Sequence, residues 1–377
     1  MAGTRQGQIV KRGPGTYMVR VYRGKDTAGK RHWATVTVKG TRQEAQKELT
    51  RRLAAKDAGR LPATTRQSVD TYFTKWLATD VKPSVTARTH ASYTRLVNSY
   101  VIPALGLRKL ASVNAQDVQE LVNTLTARNL SPRTIRYTVS ILRAALRRAV
   151  SLRLLPVNPV DKDALSLPAA KHREYTWLTP AQAAKLFATS AGDRLAALWH
   201  VAVMTALRPG EYLALRWSDI DLNGSTLTVR RTLLPGGTFG TGKTPKSRRT
   251  VTLPASTVLS LKEHKRRQNA ERLKAGDQWE DGDLVFCTAL GRPLDHNNVV
   301  HYHFQPLLER AELPRIRLYD LRHTGATLLL EAGESLKVVS ERLGHASIVL
   351  TADVYSHVSP TMQTKSAERL ESLLAGA

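Results

Sequence analysis

The sequence predicts a multidomain α+β fold in three parts: a small basic β-sheet with one helix, a helical domain, and a mostly α-helical domain with small β-hairpins. Segments that alternate apolar and polar residues and are rich in β-formers occur within the first 40 residues. Helical periodicity with N-cap signals dominates the remainder. Linker-like stretches near 60–68 and 166–175 separate the parts. We therefore expect domains over residues 1–60, 66–165 and 174–377.

The first domain begins with two predicted strands, 16–24 and 31–40, which form a hairpin. A helix should follow, because Thr41 and Glu44 make a capping box and Gly59 is a stop signal. Residues 1–60 hold 15 Lys and Arg against four acidic residues. This part of the chain is therefore predicted to be a small basic sheet covered by one helix.

Four helical segments are predicted between residues 68 and 165. Asn114 is the predicted cap of the third, and Ser131 followed by Pro132 begins the fourth. The fourth segment is rich in arginine, which is typical either of a solvated face or of a face that meets DNA.

The third domain should open with a helix capped by Thr179, with Pro180 and Gln182 behind it. Asn223–Gly224 predicts a tight turn between short strands, and a second strand pair is expected over 236–254. Helices follow, and the last is an amphipathic tail helix that we expect to dock on a neighbouring protomer, with packing on its own domain as the alternative.

The composition of the chain restricts its possible partners and excludes some kinds of site. Lys and Arg number 57 against 31 acidic residues, a net charge of +26, and such a basic chain usually meets a polyanion. Nucleic acid is the leading partner and an anionic membrane surface the rival. A single cysteine, Cys287, excludes an internal disulfide and a Cys-based zinc site. Without a signal-peptide core or a membrane-length apolar run, we expect a cytoplasmic protein, associated with the nucleoid when bound to DNA.

Three groups of residues are candidates for catalysis or phosphate binding. In the first, Arg208 follows an apolar helix and precedes the helix breakers Pro209 and Gly210. An ordinary helical corner with a surface arginine would explain this. However, an arginine fixed at a corner also suits one phosphate, because its fork matches two oxygens, and Glu211 could hold it.

The second group is a cluster of cations on a predicted hairpin: Lys243, Lys246, Arg248 and Arg249. A lysine at a hairpin tip can enter a groove or protonate a leaving group. The third comprises Arg322, His345 and Tyr355, which lie within 34 positions. Together, two arginines can neutralise a phosphodiester, a lysine and a histidine can move protons, and a tyrosine can attack phosphorus. The sequence lacks a phosphate-binding Gly-rich loop and clustered carboxylates for two metals.

These motifs resemble the tyrosine recombinase family, specifically phage and mobile-element integrases. "TALRPGEYLALRWSDID" resembles the first arginine box, and "LRHTGATLLLEAG" with "RLGHASIVLTADVYSHV" resembles the second. The helical segments of 131–160 resemble the core-binding domain, and the basic hairpin resembles the arm-binding domain. The resemblance spans nearly the whole chain.

The resemblance implies roles for single residues. Arg208 and Arg322 match the arginines that bind the scissile phosphate, His345 a donor to that phosphate, and Tyr355 the nucleophile. Lys243 matches the lysine that protonates the leaving 5′-oxygen, with Lys246 as a rival. Glu211 and His323 match positions of structural support.

Tyr319 departs from the pattern. The family usually has a histidine there, three residues before the second arginine, and assigns it to bracing the phosphate or taking the proton from the nucleophile. A tyrosine with a pKa near ~10 is a poor base at pH 7, although it can donate a hydrogen bond. We therefore include Tyr319 among the candidate catalytic residues with its role open.

The implied reaction is strand exchange through a 3′-phosphotyrosine without a metal or other cofactor. The expected partners are double-stranded DNA at core and arm sites, three further copies in a tetramer, and accessory DNA-bending or excision-directing proteins, but no membrane. A type IB topoisomerase-like enzyme and an inert DNA-binding regulator are the alternatives. The cations expected to contact DNA outside the catalytic set are Lys11, Arg12, Arg20, Arg23, Lys25, Lys30, Arg31, Arg133, Arg136, Lys246, Arg248 and Arg249.

Overall fold

The structure is a computed structural model. It describes residues 7–25, 31–57, 67–160, 164–169, 175–241 and 248–355, with 367–368, 371–372 and 374 in the tail. The chain divides into two compact units, Met1–His172 and Arg173–Ala377.

The N-terminal unit begins with a three-stranded antiparallel sheet in the order β1-β2-β3. The strands are β1 (Gly7–Gly13), β2 (Thr16–Lys25) and β3 (Arg31–Lys39). The predicted hairpin of β2 and β3 is confirmed by their antiparallel pairing. Strand β1 was not predicted, because its seven residues show little alternation and its pairing with β2 defines it.

Helix α1 (Arg42–Asp57) covers one face of this sheet. Its predicted capping box is present, since Glu44 N donates to Thr41 Oγ1 at 3.2 Å and Thr41 N donates to Glu44 Oε2 at 2.6 Å. A small core of its own forms between sheet and helix around Val19, Val21 and Leu49. The predicted stop at Gly59 lies outside the described residues.

The helical part of this unit matches the four predicted segments. Its helices are α2 (Val69–Trp76), α3 (Ala87–Leu96), α4 (Ile102–Leu105), α5 (Ala115–Ala127) and α6 (Pro132–Ser151). The cap predictions are confirmed: Asn114 accepts from Gln116 N and Asp117 N, and Ser131 from Thr134 N. Short π-helical stretches, Leu77–Val81 and Val97–Val101, extend α2 and join α3 to α4.

The helices of the C-terminal unit surround a core that includes Trp199, Phe286 and Phe304. They are α7 (Pro180–Ser190), α8 (Ala196–Thr205), α9 (Pro209–Tyr212), α10 (Ala255–Ala275), α11 (His296–Asn298), α12 (Gln305–Arg310), α13 (Asp320–Glu331), α14 (Leu336–Leu343) and α15 (Val349–Tyr355). The capping box of Thr179 and Gln182 is present. A π-helical stretch, Val299–Phe304, joins α11 to α12.

Two small antiparallel sheets complete this unit. Their strands are β4 (Ile220–Asp221), β5 (Thr226–Val229), β6 (Thr232–Leu233), β7 (Phe239–Gly240) and β8 (Arg249–Thr252). The turn predicted at Asn223–Gly224 joins β4 to β5. The strand pair predicted over 236–254 is wrong in its partners: β7 pairs with β6, whereas β8 pairs with β5. Packing in the core, which includes Leu227 and Val229 of β5, selects this pairing over the local one.

The tail helix lies mostly outside the described residues, and its described positions are helical. Within the described ranges, no helix is both long and apolar enough to span a membrane.

Candidate active site

Arg208 lies at a sharp corner between α8 and α9. Helix α8 ends at Thr205, its C-cap Ala206 has a left-handed φ of 52°, and Pro209 is the first residue of α9. A Cβ on Gly210 would lie 2.5 Å from the hydroxyl oxygen of Thr232, so only glycine allows β6 to approach this closely. The corner therefore fixes the backbone from which the Arg208 side chain extends.

Glu211 is a buried carboxylate that joins two arginines. Its Oε1 accepts from Arg208 Nη1 at 2.8 Å, and its Oε2 accepts from Arg249 Nη2 at 2.9 Å. Burial alone would raise the pKa of this carboxyl. The hydrogen bond and charge of Arg249 and the charge of Arg208 outweigh burial, so the pKa lies below its usual value. Glu211 therefore stays ionised and holds both guanidinium groups.

Arg322 in α13 is 1% exposed. Its Nη1 donates to Ala206 O at 2.9 Å, and its Nη2 donates to Leu343 O at 2.7 Å and lies 3.0 Å from His345 Nε2. Burial and the charge of Arg208 lower the pKa of Arg322 to about 10, so it stays protonated at neutral pH. These bonds use three of its five N–H groups, and the other two have no partner among the described residues.

His345 follows Gly344, the left-handed cap of α14. Its Nδ1 lies 2.8 Å from the hydroxyl of Thr351, and its Nε2 faces Arg322. Burial, together with the charges of Arg322 and Arg208, lowers the pKa of His345 to about 4. The imidazole is therefore neutral, and because Arg322 can only donate, Nε2 accepts and Nδ1–H donates to Thr351.

Tyr355 is the last residue of α15 and is half-buried. Its hydroxyl oxygen lies 2.7 Å from Nδ1 of His323. Burial raises the pKa of the Tyr355 phenol well above its ordinary value, although the charge of Arg322 opposes this. The hydroxyl is therefore protonated in the free protein.

His323 is buried, as a packing residue would be, but its contact with Tyr355 was not predicted. Burial lowers its pKa to about 4. Its ring centroid lies 4.4 Å from that of Tyr175 and 5.4 Å from that of Tyr319. Nothing in the local sequence indicates this arrangement, since His323 and Tyr355 are 32 positions apart. Thr351 was also missed, although its place four residues before Tyr355 on one helix could have suggested it.

Tyr319 lies at the N-terminus of α13 and is 38% exposed. Its ring covers one side of His323. In the part of the chain that the structure describes, its hydroxyl makes no hydrogen bond.

The remaining predicted residues fall into three groups. The first lies outside the described residues and consists of Lys30, Lys243 and Lys246; Arg23 and Lys25 are described only through the backbone of β2. The second is exposed and consists of Lys11, Arg12, Arg31, Arg133, Arg136 and Arg248. The third is held by neighbours: Arg20 donates to Gln8 Oε1 and lies over Trp33, and Arg249 is held by Glu211 and by Arg342 O at 2.7 Å.

A surface cavity of about 400 Å³ lies beside His345. Arg248, Arg249 and Lys337 line it together with Gly344 at the end of α14. Three cations and one carboxylate, that of Glu341, line the cavity, so its lining has a net positive charge, which suits a phosphate backbone. In the described ranges, no group of three or more His, Cys, Asp or Glu side chains could hold a metal ion.

Solved structures share this fold. The Tn1549 transposon integrase in complex with a circular intermediate DNA has a TM-score of 0.67 at 22% identity and covers 81% of this chain and 99% of its own. A lambda integrase dimer bound to a COC' core site has a TM-score of 0.58 at 16% identity and covers 92% and 94%. The fold is therefore that of the tyrosine recombinases, which confirms the expected α+β multidomain class.

Sequence comparison gives the family. The model of the phage integrase family matches residues 176–362, and the model of the phage integrase N-terminal SAM-like domain matches 68–126. An integrase of Streptomyces ambofaciens is 34% identical, with 90% of this chain and 89% of that protein covered. A XerC-like tyrosine recombinase of Caldanaerobacter subterraneus subsp. tengcongensis is 32% identical, with 79% and 81% covered.

The chain belongs to the phage integrase family of tyrosine recombinases. It is a site-specific recombinase, an enzyme that breaks and rejoins DNA strands. The topoisomerase-like and inert-regulator alternatives are not favoured by these matches.

Proposed function

We propose that Tyr355 is the nucleophile of this recombinase and that Arg208, Arg322 and His345 bind the phosphate it attacks. The phenol oxygen of Tyr355 forms a bond to phosphorus, and the bond from phosphorus to the 5′-oxygen breaks. The products are a 3′-phosphotyrosine and a 5′-hydroxyl strand end. A 5′-hydroxyl from a partner strand then reverses the step, so the energy of the phosphodiester bond is kept.

The observation that carries this proposal is the desolvated guanidinium of Arg322. Two of its N–H groups have no partner among the described residues, while three neighbours fix the orientation of the fork. A fixed donor in a water-poor site stabilises developing negative charge without reorganising in the transition state. Arg208, aimed by Glu211 and still 35% exposed in its side chain, supplies a second guanidinium to the same phosphate.

His345 supplies a further donor once the phosphate is present. In the free protein its pKa of about 4 leaves the imidazole neutral. A phosphodiester beside Arg322 brings a negative charge, which favours the protonated imidazole. Nε2–H of His345 can then donate to a phosphate oxygen, and the N–H of Arg322 that Nε2 accepted in the free protein turns to the phosphate as well, while Ala206 O and Leu343 O still hold the guanidinium.

A lysine of the 242–247 segment protonates the leaving 5′-oxygen, with Lys243 preferred over Lys246. This segment lies outside the described residues, between β7 and β8. This assignment is supported by the start of β8 at Arg249, which is hydrogen-bonded to Glu211. The chain therefore lies at the candidate site directly after the 242–247 segment.

The domains divide the contacts with DNA. Residues 1–60 bind arm sites through exposed cations such as Arg12 and Arg31. Residues 66–165 bind the core site together with the catalytic domain, 174–377. Four copies of the chain assemble on two core sites. The support from relatives is that lambda integrase has been solved as a tetramer bound to a Holliday junction. Accessory DNA-bending or excision-directing proteins complete the assembly.

The test uses the covalent intermediate. Integration junctions are sequenced to read the core site, and a nicked duplex that contains it is incubated with the protein. We expect a protein–DNA adduct on a denaturing gel, and Tyr355→Phe should abolish it while DNA binding persists. An undiminished adduct in this variant would remove Tyr355 from the role of nucleophile.

A further inference from the structure

Among the described residues, the hydroxyl of Tyr355 contacts one titratable nitrogen, Nδ1 of His323. The distance from the hydroxyl oxygen to Nδ1 is 2.7 Å, that of a short, direct hydrogen bond. His345 cannot take this place, because its Nε2 faces Arg322 and its Nδ1 faces Thr351. The family resemblance gave His323 only a supporting role, so this contact has no assigned purpose.

We propose that His323 is a catalytic residue that accepts the proton of Tyr355 during strand cleavage and returns it during rejoining. This inference rests on the proposed role of Tyr355 as nucleophile. It also explains how the site works with a tyrosine at position 319, since the base is supplied four positions further along, on α13 itself.

The position of His323 is fixed by its surroundings. The residue is 5% exposed, and its ring lies among those of Tyr175, Tyr319 and Tyr355. It directly follows Arg322, which is anchored by its own hydrogen bonds. A base held in this way needs no rearrangement to meet the nucleophile.

Tyr319 does not compete for the proton. Its hydroxyl makes no hydrogen bond among the described residues, whereas its ring packs on His323. The exposed ring separates His323 from solvent on that side. Tyr319 is therefore a positioning residue for the base.

The charges around His323 set when the proton moves. Asp320 favours its protonation, Arg317 and Arg322 oppose it, and burial opposes it most, so its pKa is about 4. The phenol of Tyr355 has a raised pKa. In the free protein the proton therefore stays on the phenol, with Nε2–H as the tautomer of His323, and no reactive phenolate forms before DNA binds.

The proton transfer balances within the reaction. As the phenol oxygen bonds to phosphorus, its acidity rises, and its proton passes to the lone pair on Nδ1 of His323. The electron pair of the breaking bond goes to the 5′-oxygen, which takes a proton from the lysine of the 242–247 segment. Rejoining reverses both transfers, and the imidazolium of His323 protonates the departing phenol oxygen.

The test uses a substrate for which the proton transfer from Tyr355 is the one that cleavage still requires. The substrate is the core-site duplex with sulfur in place of the bridging 5′-oxygen at the cleavage position. A thiol has a pKa near ~8.5, so this leaving group departs without an acid, and Tyr355 provides the remaining proton transfer. In His323→Asn an amide oxygen can still accept the hydrogen bond but cannot act as a base at neutral pH. We expect single-turnover cleavage to slow by about 100-fold or more, with DNA affinity unchanged.

Two comparisons separate a base from a packing residue. His301→Asn makes the same substitution at an exposed histidine and should keep the wild-type rate. Replacing Tyr355 by a fluorinated tyrosine, whose phenol is more acidic, should restore most of the rate in His323→Asn. A merely structural defect would not respond to the acidity of the phenol.

The outcomes are distinct. A wild-type rate in His323→Asn overturns the inference, as does a slow rate that the fluorinated tyrosine does not rescue. If the variant fails to fold, wild-type cleavage of the sulfur substrate is compared in H₂O and D₂O, and equal rates overturn it. Loss of the adduct in Tyr355→Phe together with full activity in His323→Asn removes only this inference, whereas an adduct in Tyr355→Phe removes the proposed nucleophile as well.

Discussion

Arg322 of the C-terminal unit and Arg133 of the N-terminal unit carry the same guanidinium in opposite surroundings. Arg322 is 1% exposed and anchored by two carbonyls and a histidine. Arg133 is exposed on the first turn of α6. A buried, fixed charge acts strongly over a short range, while an exposed one is screened by salt and contributes mainly to affinity. We therefore expect the buried arginine to act on the reacting phosphate and the exposed arginine to raise the affinity for DNA.

Arg322→Ala removes the buried guanidinium, and we expect it to have the largest effect of the variants proposed. We expect cleavage to fall by about 10³-fold or more, because the fixed donors at the phosphate are lost. The melting temperature should fall too, since the carbonyls of Ala206 and Leu343 lose their donor. Single-turnover cleavage of the nicked core duplex and a thermal melt measure the two effects.

The matched control is Arg133→Ala, which removes an exposed arginine. Its cleavage rate should match the wild type, and DNA binding should show a salt dependence weaker by about one charge. If Arg322→Ala cleaved DNA at a rate within tenfold of the wild type, the buried and exposed arginines would not differ in role as we propose.

Glu211→Gln tests what holds Arg208 and Arg249 in place. The amide keeps the shape of the side chain but loses the charge that pairs Arg208 with Arg249. Removing one partner of a buried ion pair typically destabilises a protein by about 3 kcal/mol, and we expect a smaller loss of cleavage than for Arg322→Ala. Urea unfolding measures the stability difference.

This difference should depend on pH. The pKa of Glu211 is lower in the folded protein than its ordinary value near ~4.3. Ionised Glu211 therefore stabilises the fold above that value, and the contribution is lost as pH falls through the lower folded pKa. Wild type and Glu211→Gln should converge in stability at acidic pH, and a constant difference from pH 7 to pH 3 would exclude this role.

Deleting residues 1–60 should have a smaller effect on cleavage than Arg322→Ala or Glu211→Gln. The sheet and α1 have a core of their own around Val19, Val21 and Leu49, so we expect the rest of the chain to keep its fold without them. Arm-site binding should vanish in a gel-shift assay, whereas core-site cleavage should stay near the wild-type rate. Equal loss of both activities would show that the proposed domain boundary is misplaced.

Local signals predicted the elements well, and non-local contacts account for the errors. The caps at Thr41, Asn114 and Ser131 depend on side chains that bond to backbone groups two or three residues away, so the sequence shows them directly. The pairing of β8 with β5 depends on how both strands pack in the core of the C-terminal unit, which no short window contains. The predicted hairpin was wrong for that reason.

The sequence alone determined which residue types could perform strand transfer and the family to which they belong. Only the tertiary structure decided their states: that Arg249 is bonded to Glu211, that His345 is neutral, and that the tyrosine hydroxyl meets His323 across 32 positions. The physical reason is that pKa values and hydrogen-bond partners depend on burial and on neighbours. Both are set by packing between segments that lie far apart in the chain.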